Sequence, residues 1–194
     1  MMSEEKVVAE LDEHSWSDAI GMYERRATIA KVTSRRHGNW MLDLSTLMRG
    51  DTRDIRGWRT VDLWEGEPER LDQPSYPFAI PREAVATTDA WKPYLHEIPR
   101  SQALRFLVAL STPWIDVTEE PDFEERRKGL ERNARVILSR FPEGSHFYAN
   151  TGRDSDARDY YQRVTEWYSF SVRTYDFGLV LVSPSEVGLV WSFR

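Results

Sequence analysis

Residues 177–193 read FGLVLVSPSEVGLVWSF. Two apolar runs rich in Val, Leu and aromatic residues flank Ser183–Glu186, with Pro184 where a type I turn accepts it. The pattern predicts two antiparallel strands. Both runs are apolar on both faces, so they belong in the middle of a sheet or beneath a covering helix. Working back, YSFSVRTY (168–175) has the content of a third strand, joined by a turn around Asp176 and Gly178. SHFYAN (145–150) reads as another strand. Between them, DSDARDYYQRVTEW (154–167) is expected to be a helix capped by Asp154 or Ser155.

Further upstream lies the strongest helical signal, PDFEERRKGLERNARVILSRF (121–141). Phe123, Leu130, Ala134, Ile137 and Phe141 form one stripe. Glu124 and Glu125 suit its start and Arg135 and Arg140 its end, as the helix dipole favours, and Pro142 and Gly144 stop it. RSQALRFLVAL (100–110) reads as a second helix, with Pro99 suited to its first position. Nearer the N-terminus, Ser15 or Ser17 is expected to cap a helix over 18–27. ATIAKVTS (27–34), WMLDLSTLM (40–48) and GWRTVDLW (57–64) then read as strands, with RRHGN (35–39) as a hairpin loop. The fold class expected is α+β: antiparallel strands from both ends of the chain with two or more helices packed on one face.

Four of the ten prolines fall in EPERLDQPSYPFAIP (67–81), which reads as an ordered extended loop. The organisation expected is one domain over 1–194, with lobes 1–67 and 82–194 joined by the Pro-rich loop 68–81. The 194 residues can bury a sizeable core, and 24 aromatic residues argue against disorder. No apolar run reaches membrane-span length, and the first 14 residues lack a signal-peptide core, so a soluble, cytoplasmic protein without a membrane is expected. With no cysteine, thiolate chemistry, disulfides and Cys-ligated metal are excluded. Only four of the 26 basic residues are Lys, an arginine usage typical of GC-rich bacterial coding.

The net charge of −6 is unevenly laid out. Residues 1–24 carry −6, residues 25–61 carry +6, and residues 62–72 carry −4. Such blocks either neutralise one another or leave faces that steer a charged partner. No phosphate-cradling loop, nucleophile elbow or local His pair occurs, and nothing calls for a cofactor or a metal. The triplet DFG at 176–178 lacks the companion loops of protein kinases and carries no weight.

Without catalytic signatures, the first functional expectation is a non-enzymatic protein-binding protein, such as the immunity partner of a bacterial toxin. Asp62, Trp64, Glu65, Glu67 and Glu69 would then form the surface for a basic partner, its identity open. The third-ranked expectation is a nucleic-acid binder using the basic segment 25–61, where Arg35, Arg36, His37, Trp40, Arg56 and Trp58 interleave cations with rings. The acidic pI near 5.3 weighs against it. Ranked above it, as the second, is a hydrolase assembled from His37, His146, Asp154 and Asp156, although an ordinary salt-bridged helix start accounts for the two aspartates more simply.

Overall fold

A computed structural model describes residues 11–50, 52–79, 88–152 and 158–194. The two apolar runs form the centre of the molecule, as their composition demands. β5 (Asp176–Val182) and β6 (Glu186–Phe193) are buried along their whole length. Ser183 closes the turn between them, its hydroxyl accepting from the Glu186 N–H at 2.9 Å. β1 (Thr28–Ser34) pairs with β6, and β2 (Val61–Asp62) with β1. On the other side β4 (His146–Ala149) pairs with β5, and β3 (His96–Ile98) with β4. The order β2-β1-β6-β5-β4-β3 makes a six-stranded sheet whose neighbours all run antiparallel. Its strands come from both sides of the Pro-rich stretch.

Alternation along β5 and β6 splits the core into two layers. Ala30, Val32, Leu179, Leu181 and Val190 point to one side. There they meet α1 (Glu13–Ile20), α4 (Arg100–Leu110) and α5 (Phe123–Ser139). Ile29, Val180, Leu189, Trp191 and Phe193 point the other way, against α2 (Trp40–Met48) and Phe78, Trp91 and Leu95. The fold is α+β, with three helices on one face and α2 on the opposite one. Between the layers the strands need two glycines. A Cβ at Gly178 would lie 1.9 Å from the Trp191 indole, and one at Gly188 would lie 2.6 Å from the Phe141 ring.

Several local expectations are corrected. Residues 40–48 form a helix, not a strand. Asn39 caps it by accepting from the Met41 N–H at 3.1 Å, and Met41, Leu44, Leu47 and Met48 supply a helical stripe. Of GWRTVDLW only Val61 and Asp62 join the sheet. α1 starts earlier than expected, since Asp12 and Ser15 form a reciprocal capping box. Pro99 is the cap of α4 rather than its first residue. The stretch expected as an extended loop contains a short helix, α3 (Pro68–Asp72).

The largest correction concerns 158–175, which is neither helix nor strand and makes only isolated bridges. The Asp176 carboxylate accounts for its last stretch, around 169–171. Fully buried, it accepts from the N–H groups of Phe170 and Ser171, the hydroxyls of Ser169 and Ser171, and the Trp191 indole. These bonds draw the preceding segment into a tight arc and hold it away from a ladder. Asp176 opens β5 instead of sitting in a turn.

Candidate functional site

The acidic surface predicted over 62–69 is partly rearranged. Asp62 faces inward, its carboxylate held by Lys31 Nζ at 2.6 Å and by the Arg70 guanidinium. It is therefore not part of any exposed face. Arg70, the only base between residues 62 and 72, is drawn in with it and also donates to the Tyr76 carbonyl. Trp64 is half-buried, its ring edge-on to Phe193 at 4.9 Å and to Tyr76 at 6.4 Å. Glu65, Glu67, Glu69 and Asp72 remain exposed, and among the described residues none has an ion-pair partner. Beside them Leu63 and Leu71 are 46% and 77% exposed.

The basic and aromatic set is divided by the sheet. Arg35 donates to the carbonyls of Ser183 and Gly38. The N–H groups of Arg36 and His37 bind the Asp43 carboxylate, which also meets the His37 ring at 2.7 Å. Trp40 stacks on Tyr148 at 4.7 Å. Trp58 lies on the opposite face, with Arg56 4.9 Å above its ring and paired to Glu186. Behind them the fully buried Arg140 binds Asp54 and Glu186 at 2.7 Å each, and its guanidinium covers Trp16 and Trp58. Many of these cations already answer the protein's own carboxylates and carbonyls, which leaves fewer for phosphates.

Of the dispersed hydrolase set, the two histidines each pair with a different carboxylate. His146 pairs with Glu97 at 2.7 Å on an exposed strand pair, whereas His37 pairs with Asp43. Asp154 and Asp156 lie outside the described residues. Among the described residues no three acids or histidines gather as metal ligands.

A cleft that the sequence reading missed lies on the side of α1, α4 and α5. About 490 Å³ in volume, it falls in the size range of small-molecule sites. The 113–119 segment supplies Trp114, Asp116 and Glu119; the 163–167 segment supplies Arg163 and Trp167. The ends of β5 and β6 bring Tyr175, Phe177 and Arg194. Trp167 packs 5.1 Å from both Tyr175 and Phe177. Trp114 is 66% exposed and sits at φ 58°, followed by Ile115 at φ 55°. Bulky residues in this left-handed region cost about 1–3 kcal/mol each and concentrate at functional sites.

Arg194, at the cleft, is bound only to carbonyls. Arg194 donates to the Phe193 and Thr112 oxygens, and the neighbouring Arg26 to that of Ser111. Burial, and then the charge of Arg26, push the Arg194 guanidinium below its ordinary pKa. Among the described residues neither these two nor Arg163 has a carboxylate partner. Asp116 accepts from the Thr118 N–H and hydroxyl through one oxygen, at 3.0 and 2.5 Å.

No model of a known protein family matches the chain, nor does any curated protein or solved structure. No helix among the described residues is long and apolar enough to cross a membrane.

Proposed function

We propose that the chain is a non-enzymatic binding protein that docks a basic protein through the exposed ridge around α3, as a toxin's immunity partner would. The observation that supports this most is the inward turn of Arg70. By joining Asp62 and Lys31 it leaves Glu65, Glu67, Glu69 and Asp72 uncompensated beside two exposed leucines. Uncompensated charge around an apolar centre steers encounter and then gains from desolvation. The half-buried Trp64 beneath supplies a rigid base for the ridge. A cysteine-free chain without stabilising disulfides suits a reducing cytoplasm, where we place this role.

Size-exclusion chromatography and calorimetry with the product of the adjacent gene test the reading. The expected result is a complex that weakens at least about ten-fold, or about 1.4 kcal/mol, in the double variant Glu67→Lys, Glu69→Lys. Leu71→Asp should weaken it similarly. Absence of a complex at micromolar concentration, or a complex indifferent to these changes, would overturn the proposal.

A further inference from the structure

The aromatic cleft is separate from the α3 ridge. Its floor residue Phe177 belongs to the layer under α4 and α5, whereas Trp64 packs with the layer under α2. Whatever occupies the cleft has to satisfy three chemistries together. An exposed indole, with Trp167 and Tyr175, offers flat faces for a planar ring. Arg163 and Arg194 are cations without a carboxylate partner among the described residues, and they suit an anion. Asp116 and Glu119 are acceptors only, so they call for N–H donors on the same ligand. A quaternary ammonium group would use the rings and acids but oppose the arginines. An inorganic anion would use the arginines alone.

We propose that the cleft binds a guanine nucleotide, its base stacked on Trp114, its N–H edge on the carboxylates and its phosphate on Arg163 and Arg194. Guanine presents two adjacent donors, the ring N1–H and the 2-amino group, which match the two oxygens of the Glu119 carboxylate, since one oxygen of Asp116 is already taken by Thr118. Adenine places a ring acceptor beside its amine, and a carboxylate repels that acceptor. The left-handed backbone of Trp114 and Ile115 fits this role, because it holds an indole out at the rim where no packing of the protein itself requires it.

Calorimetry and tryptophan fluorescence with GMP, guanosine, AMP and inorganic phosphate, on the full chain, test the assignment. GMP should bind saturably and quench emission. Guanosine, AMP and phosphate should each bind at least about ten-fold more weakly. Trp114→Ala and Arg163→Glu should each lower GMP affinity by about ten-fold or more, with the circular dichroism spectrum unchanged. Trp114→Gly should lose the nucleotide yet raise Tm, since glycine adopts positive φ without strain. No saturable GMP binding at millimolar concentration, equal binding of guanosine or AMP, or full affinity in the Trp114 variants would each overturn the proposal. None of these results bears on the α3 ridge, whose test uses a protein partner and other residues.

Discussion

Arg140 shows how much a single side chain can organise. It follows α5 directly, and its guanidinium reaches Asp54, 86 residues away, and Glu186, 46 residues away. Two indoles cover it; burial opposes its charge, but its hydrogen bonds to the two carboxylates and their charges outweigh that and raise the guanidinium above its ordinary pKa. The sequence placed Arg140 at the negative end of a helix, which is correct but incomplete, because spacing along a chain says nothing about partners so distant. Removing the cation would strand the buried Asp54 carboxylate and leave Glu186 with Arg56 alone. Arg140→Ala is therefore expected to lose about 3–5 kcal/mol of stability in urea denaturation. Losses well under 1 kcal/mol would mean that the carboxylates find water or another donor. Trp58, read from its flanking arginines as a stacking surface, is explained by the same cluster.

At the level of elements, amphipathic periodicity was legible where it was long and illegible where it was short. α5 and the β5–β6 pair follow their pattern because seventeen helical residues, or two uninterrupted apolar strands, leave little choice. α2 has nine residues, and the alternation of Trp40, Leu42 and Leu44 matches a strand as well as a helix. What decides it is the cap and the Leu and Met content, both favouring the helix. Asn39→Ala should cost about 1 kcal/mol and Asn39→Asp far less, measured by equilibrium denaturation. Equal losses for both would assign the cap's role to other contacts of Asn39. The arc over 158–175 was not legible. Its end at 169–171 depends on the buried Asp176 side chain, which accepts bonds that would otherwise have no reason to gather at one place. The cleft rests partly on that arc, so its residues stayed hidden as well. Trp114 had one signal in the sequence, an indole directly after Pro113, but nothing there marked its positive φ.

For the molecule as a whole, the sheet is shared by two apolar layers, and neither layer can be exposed without disturbing β5 and β6. Loss of either layer should thus be felt by both. Phe106→Ala on the α4 side and Phe78→Ala on the α2 side are each expected to cost about 3–5 kcal/mol. Both should shift a single unfolding transition seen identically by far-ultraviolet circular dichroism and tryptophan emission. Two resolved transitions in either variant would divide the chain at its Pro-rich stretch instead.

The rims of the sheet carry a consequence for how this protein meets others. Among the described residues the outermost strands are short, β2 with two residues and β3 with three, and β2 pairs with only Ile29 and Ala30 of the seven-residue β1. Rims this short offer little main-chain template for lateral growth or for zippering by an added strand. A neighbour read through projecting side chains leaves selectivity open to change by point substitution while the framework stays untouched.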